Sequence, residues 1–388
     1  MDMKRLTFLL LLAAGMVACK ENTPDNNDPV GPKPPYVWTD FSMGADLSYV
    51  NEIEDFGGVY RDSSAVKDPF LILKSYGCNT VRVRLWHDPQ WVAVITGGKT
   101  YSDLADVEKT IGRAKALGMA VNLDFHYSDE WADPGNQVTP AAWEGAALAV
   151  LEDSVYNYTF SVLNYLHGKG LTPEMVQIGN ETNQGMLWPA GKVQNNNWQP
   201  FCSLLNAGIR AVRDFSAANG NRPKIILHVA GLHNAKWWIE NVMNNGVADF
   251  DILGISHYCK WAEVKTMAQV TSIIKGITTT QRKGVILVET AYPWTGDNAD
   301  GYNNIFSGGD SVQGYSVSPQ GQQQYLEDLV QAVLDGGGSG IHYWEPAWIT
   351  SSMPDKWGTG SSWDNVTWFD FSGNALPSLK FMNAAYNF

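Results

Sequence analysis

Eight short apolar runs, each ending in polar or aromatic residues and separated by helix-compatible segments, restrict this chain more than any other feature. They are Phe41–Ser48, Thr80–Trp86, Ala120–Ser128, Met175–Asn183, Lys224–Gly231, Ile252–Tyr258, Gly284–Tyr292 and Gly340–Trp348. Runs of this kind suit strands buried on both faces, as in a parallel sheet covered by helices. Between them lie candidate helices at Leu104–Leu117, Ala141–His167, Trp198–Ala218, Ala235–Asn244, Met267–Thr278 and Gln320–Leu334. Gly77, Gly118, Gly170, Gly246 and Gly284 stand near the next strand and read as helix stops. Eight such units predict a single-domain (β/α)8 barrel. The rival, a doubly wound sheet holding a dinucleotide, lacks a G-x-G-x-x-G after its first strand.

In a barrel of this kind the chemistry belongs at the carboxyl ends of the strands. Reading off those ends gives Asp46 and Ser48; Arg82, Arg84 and Trp86; Asp124, His126, Tyr127, Asp129 and Trp131; Asn180 and Glu181; His228 and His233; His257 and Tyr258; Glu289; Trp344 and Glu345. Two of these stand out. Met175–Asn183 runs M-V-Q-I-G-N-E-T-N, an apolar strand opening directly onto Asn180 and Glu181. Glu181 alone would read as a helix N-terminal acid or a solvated loop residue. The pattern recurs in G-V-I-L-V-E-T-A-Y, Gly284–Tyr292, which ends on Glu289. Two strand-terminal glutamates are the minimum equipment for hydrolysing a glycosidic bond.

Composition points the same way. The 388 residues include 16 Trp, and indole rings cover the apolar faces of sugars as readily as they fill cores. A net charge of −13 argues against nucleic acid or an anionic membrane surface as substrate. At the N-terminus, Lys4 and Arg5 precede the apolar run Leu6–Ala14 and then Met16-Val17-Ala18-Cys19. This is a secretory signal over 1–18, too short to span a membrane. Cys19 directly after a small residue resembles a bacterial lipobox, which implies lipidation of Cys19 and an outer-membrane lipid anchor. Lys20-Glu21 resembles the export tag of Bacteroidetes surface lipoproteins, which implies the cell surface of a Gram-negative bacterium. Residues 19–37 are rich in Pro, Asn and Asp and read as a flexible tether, leaving 38–388 as the catalytic domain. Cys78, Cys202 and Cys259 remain, an odd count without close pairs, and are expected as single buried thiols. A monomer is expected.

Six motifs carry a more specific resemblance: V-R-V-R-L-W-H-D-P (Val81–Pro89), L-D-F-H-Y-S-D-E-W-A-D-P-G (Leu123–Gly135), I-G-N-E-T-N-Q-G-M-L-W-P (Ile178–Pro189), V-E-T-A-Y-P-W-T (Val288–Thr295), Y-W-E-P-A-W (Tyr343–Trp348) and G-T-G-S-S-W-D-N (Gly358–Asn365). Together they resemble the endo-β-1,4-galactanases of glycoside hydrolase family 53, in clan A, from Phe41 to about Phe371. The resemblance implies a retaining double displacement on β-1,4-galactan of pectic galactan and type I arabinogalactan. Glu181 would be the acid/base and Glu289 the nucleophile. Arg84 resembles the clan's arginine that holds the nucleophile ionised, while Arg82 points the same way along its strand and could serve instead. Asn180 would bind the sugar 2-hydroxyl and Tyr258 the nucleophile. Trp86, Trp344 and Trp363 would stack on sugar, with Asp46, Asp124, His126 and Asp129 reading hydroxyls. His257 is balanced between core and site; His228 and His342 read as core histidines.

One constellation suits a metal. Asn298, Asp300 and Asn304 follow the seventh strand as N-x-D-x-x-x-N, and Ser361 and Asp364 lie beyond the eighth. Oxygen ligands of this kind suit Ca²⁺ and not zinc, although an ordinary polar turn has the same composition. Bacterial family members tie these loops with calcium through D-x-D-x-H-x-N. Here Asn298 replaces the first Asp and Tyr302 the His, so Tyr302 would offer its backbone carbonyl, and the lost charge at 298 would weaken affinity. Two other readings stand beside the galactanase. One is another clan-A endo-β-glycanase, a mannanase or cellulase. The other is a non-catalytic surface glycan-binding protein, which has no reason to keep two like charges face to face.

Overall fold

The computed structural model describes residues 36–388. The signal segment 1–18, Cys19 and most of the tether 19–37 lie outside the described residues. Eight parallel strands close into a barrel: β1 Ser42–Asp46, β2 Thr80–Leu85, β3 Ala120–Phe125, β4 Met175–Ile178, β5 Lys224–Ala230, β6 Ile252–Ser256, β7 Gly284–Glu289 and β8 Gly340–Tyr343. Neighbours in sequence pair, and β8 closes on β1. Helices Leu104–Ala116, Leu148–Gly168, Gln199–Asn219, Leu232–Asn244, Met267–Thr280 and Pro319–Asp335 follow β2 to β7 in turn. They bury their apolar stripes against the outward strand residues, which is what fixes the barrel.

The inward positions fall on alternate strand residues, as the pleat demands. The lower interior is apolar on the side of β4 to β7, where Met175, Ile226, Ile252, Ile286 and Val288 cluster with Trp38 packed against them. It is polar on the other side, where Ser42, Thr80, Asn122 and His342 are buried. Beside them His342 accepts or donates to Ser42 Oγ at 2.8 Å. Its ring occupies the space a Cβ at Gly44 would need, only 2.2 Å from that position, so β1 admits glycine alone there. Above this floor the inward residues are polar: Asp46, Arg82, Asp124, Gln177, His228 and Ser256, all buried. A fully buried polar layer holds only if its members satisfy one another, and these do.

One irregularity matters to the site. Gly254 pairs with Ile286, but Ser256 pairs with Glu289, so the register slips by one residue between them. Ile286 and Val288 face the interior. Strict alternation would therefore send Glu289 outward into the helix layer; the slip turns it inward instead.

Several boundaries differ from the sequence reading. The strands stop earlier than their apolar runs, because Gly179 (φ +81°), Glu181 (φ +46°), Tyr127 (φ +49°) and Glu345 (φ +44°) turn the chain into left-handed backbone. The helix expected over Ala141–His167 breaks into a 3-10 turn, Ala141–Trp143, and a helix from Leu148, because Gly145 sits at φ +71°. Gly77, Gly118, Gly170 and Gly246 take positive φ at helix ends; Gly284 instead begins β7. Short helices Val50–Asp55, Pro69–Ser75 and Gln90–Thr96 were not anticipated, nor was the hairpin Arg61–Asp62 with Ala65–Val66. Cys78, Cys202 and Cys259 are free and buried.

Candidate active site

The loops at the carboxyl ends of the strands enclose a cleft of about 720 Å³. Arg82 is its buried centre. Its Nη1 donates to Asp46 Oδ2 at 2.8 Å and meets Glu289 Oε1 at 2.9 Å. Nη2 donates to Asp124 Oδ2 and Asn180 Oδ1, each at 2.8 Å, and Nε to Gln177 Oε1 at 3.3 Å. One guanidinium thus ties together groups from β1, β2, β3, β4 and β7. The planar fork makes this possible, and a lysine could not replace it.

Glu289 receives two further donors on its other oxygen: Tyr258 Oη at 2.8 Å and Ser256 Oγ at 3.2 Å. Burial pushes its carboxyl up, and Arg82 and Tyr258 oppose that by favouring the anion. Across the cleft, Glu181 is pushed up to about 8, first by burial and next by the charge of Glu289, against the Ser256 hydroxyl. Burial raises both carboxyls, but they divide: Glu181 keeps its proton up to about 8, while Arg82 and Tyr258 favour the anion at Glu289. Such a split assigns acid and base roles. The backbone N–H of Glu181 donates to His228 Nδ1 at 3.2 Å, and His228 Nε2 touches Ser256 Oγ at 2.9 Å. His228 is buried as a core histidine, yet it anchors both the backbone of one glutamate and the hydroxyl beside the other.

Asn180 donates from Nδ2 to Ala132 O at 2.8 Å, which fixes it at the cleft wall. His126 accepts the Ala132 N–H on Nδ1 at 3.2 Å, leaving Nε2 against Asp124 at 3.2 Å; burial lowers its pKa. His257 also lines the cleft, and burial lowers its pKa to about 4. Asp46 lines the cleft while accepting from Ser48 Oγ at 2.5 Å. Trp344 and Trp363 stand edge to face, centroids 4.7 Å apart at 82°, with Trp363 Nε1 donating to Trp344 O at 3.0 Å. Both line the cleft.

Four expectations need correction. Arg84 does not reach Glu289. It pairs with Glu345 at 3.4 Å and is enclosed by the rings of Tyr49, Trp86 and Trp131 at 4.0 to 4.6 Å, one inward step too high on β2. Trp86 offers no face to a sugar, being walled in by Arg84, Trp91 and Trp131. Asp124 lies beneath the cleft, spent on Arg82, Gln177 and His126. Asp129 points away, toward His87 at 3.3 Å and the N–H groups of Asp88 and Ala141. The sequence reading also passed over Ser256, Gln177, Trp348 and the exposed cleft-lining rings of Trp261 and Trp357. Gln177 and Ser256 carry a signal in hindsight: each is a polar residue at an inward position of an otherwise apolar strand.

The metal candidates come together in part. Thr350 Oγ1 touches Asp300 Oδ2 at 3.0 Å and Asp364 Oδ2 at 2.8 Å. Burial raises the Asp364 pKa, and the charge of Asp300 adds to it. Asn304 donates to Asp364 Oδ1 at 2.6 Å, while its own Oδ1 is buried without a partner. Two carboxylates sharing one hydroxyl proton beside an orphaned amide oxygen fit a hard cation with oxygen ligands. Ser361 does not fit: its hydroxyl donates to Trp348 O and its N–H to Asp300. The Tyr302 carbonyl is taken by Asn298 Nδ2 at 2.9 Å, and its hydroxyl by Asp355. Among the described residues no cluster of three or more His, Cys, Asp or Glu side chains could hold a metal.

The chain as a whole is similar to known proteins. An arabinogalactan endo-beta-1,4-galactanase of Cellvibrio japonicus is 41% identical over 386 residues, covering 98% of this chain and 96% of that protein. The endo-beta-1,4-galactanase of Bacillus subtilis is 34% identical, covering 88% of this chain and 85% of that one. Among solved structures, the GH53 catalytic domain of Ignisphaera aggregans superposes with a TM-score of 0.81 at 38% identity, covering 92% of this chain and 99% of that one. Residues 42–382 match the profile of Glycosyl hydrolase family 53, and the chain belongs to that family.

Proposed function

We propose that this chain is a retaining endo-β-1,4-galactanase acting on galactan of the pectic and type I arabinogalactan kind. The observation that carries the reading is the pair of carboxyls, Glu181 and Glu289, lining one cleft beside Ser256, with Glu181 raised by burial and by the charge of Glu289, and Glu289 held by Arg82 and Tyr258. A retaining enzyme places its two carboxyls about 5–5.5 Å apart, and membership of the family supports that arrangement here. Family members named as galactanases support the substrate.

In this mechanism Glu289, ionised and aimed by Arg82, Tyr258 and Ser256, attacks the anomeric carbon. Glu181 gives its proton to the departing glycosidic oxygen. The glycosyl–enzyme ester removes the charge of Glu289, one cause of the high pKa of Glu181, so Glu181 then serves as base toward water. Asn180 faces the cleft beside Glu181 and would hold the 2-hydroxyl, a contact that strengthens in the transition state. Trp344 and Trp363 form an aromatic corner for the sugar rings.

The lipobox-like Cys19 and the Pro- and Asn-rich tether support an outer-membrane lipoprotein displayed on the cell surface. Asp300, Asp364, Asn304 and Asn298 support a structural Ca²⁺ joining the loops after β7 and β8; it would supply charge neutralisation there and no chemistry.

Glu181→Gln and Glu289→Gln should each lower turnover on galactan by at least about three decades. Proton NMR of the first product should show the β-anomer. Activity above a tenth of the wild type in either variant, or α-product first, would sink the assignment.

A further inference from the structure

Beside the main cleft lies a second one of about 570 Å³, walled by the loops after β2, β3 and β4. It exists because the segment after β3 does not continue as helix: the break at Gly145 opens the wall that an unbroken helix would close. Three half-buried indoles line it: Trp91, Trp143 and Trp188. Each is fixed in orientation. Trp91 Nε1 donates to Asp129 O at 3.0 Å and Trp188 Nε1 to Gln184 O at 3.1 Å. Trp143 packs edge-on to His87 at 4.8 Å and Tyr158 at 5.8 Å.

The charged residues on the walls are Asp129, Glu130 and Glu144, with no Lys or Arg among the lining. Asp129 is held by His87 and backbone N–H groups, and Glu130 by Lys356. The Glu144 carboxylate is exposed and makes no hydrogen bond or ion pair among the described residues, so it stands ready as an acceptor. Two cations stand at the rim and both are engaged, Lys192 over the Trp188 ring at 3.9 Å and Lys356 with Glu130. The remaining aromatic faces and the free Glu144 acceptor favour a neutral, hydroxyl-rich ligand over an anionic one. The two clefts also adjoin. Residues 129 and 130 line the second and Trp131 the first, while Lys356, between Asp355 and Trp357 of the main cleft, reaches across to Glu130.

We propose that this second cleft binds a further stretch of neutral β-1,4-galactan outside the cleaving subsites and holds the enzyme on its polymer. The proposal rests on the galactanase reading above.

The test uses enzyme trapped as the glycosyl–enzyme with 2-deoxy-2-fluorogalactobiosyl fluoride, run in native gels with and without galactan. Trapped wild type should be retarded by galactan. In W143A/W188A retardation should fall at least about fivefold, while the untrapped variant hydrolyses galactotetraose within about twofold of wild type. Ala190→Arg, which fills the cleft without removing an indole, should behave alike at an unchanged melting temperature. Equal retardation of wild type and both variants, or free migration of trapped wild type, would overturn the second cleft alone. Wild type that neither cleaves galactan nor traps would overturn the galactanase reading and this proposal with it.

Discussion

Ser256→Ala offers the sharpest probe of how the carboxyl pair is tuned. The hydroxyl donates to Glu289 at 3.2 Å and opposes the upward push on Glu181. It thus favours the ionised form of each. Without it, both carboxyls keep their protons to higher pH. A hydrogen bond to a charged group contributes ~1.5–3 kcal/mol, and at 3.2 Å the lower end applies. At ~1.4 kcal/mol per pH unit, that is a move of about one unit. The alkaline limb of kcat/KM reports protonated Glu181 in the free enzyme and should lie near 8 in the wild type. One hydroxyl carries one proton, so in the variant that unit is divided between the two carboxyls: the alkaline and acidic limbs should both move upward, by about one unit in sum. Ser256→Thr, which keeps the hydroxyl, should restore the wild-type profile. The assay is initial rates on a chromogenic galactoside series across pH 4 to 10. A profile that keeps its limbs, or slides toward acid, would refute the claim that this hydroxyl sets the split.

Arg82→Lys should cost at least about two decades in kcat, since the fork to Asp46, Asp124, Asn180 and Glu289 cannot be rebuilt by an ammonium; Arg84→Lys, assayed alongside, should lose far less. Glu52 is pushed up to about 8 by burial and the charge of Asp106, against an ordinary value of 4.5. The folded chain then holds a proton that the unfolded chain releases, so this residue lowers stability progressively as pH rises from 4.5 to 8. Glu52→Gln should therefore raise the melting temperature at pH 8 and leave it nearly unchanged at pH 4. EDTA should lower the melting temperature of the wild type and added Ca²⁺ restore it, whereas Asp300→Ala should lose the response and keep most of its turnover. A melting temperature insensitive to both would remove the metal from the account.

The barrel was legible because each strand announces itself by an apolar run and each helix by its period, and both signals are local. The two glutamates were legible for the same reason, standing where a run stops. What the sequence hid depends on register. Arg82 and Arg84 share a strand face, and only the height of each inward layer decides which meets Glu289. Asp129 and Trp86 sit at strand ends like their neighbours, but the loop after β3 folds back and takes one to the second cleft and the other into packing. The helix expected from Ala141 failed because a good helical composition extended across Gly145, whose left-handed backbone ends the pattern. Ser256 and Gln177 gave a usable hint, since an inward polar residue on a buried strand must be bonded to something.

The slipped pairing of β6 and β7 changes what a gap in an alignment means for relatives of this chain. On most strands a gained residue lengthens an element and the ends readjust. Between Gly254 and Ser256 of β6 it would restore even pairing with Ile286 and Glu289 and turn the carboxylate out among the helices. Arg82 would then face Asp46 and Asp124 with no third anion, and Tyr258 and Ser256 would lose their acceptor. The barrel, its indoles and its cleft could all persist. Counting residues along this one strand therefore separates a chain that cuts the polymer from one that only grips it, even where every recognisable motif is retained.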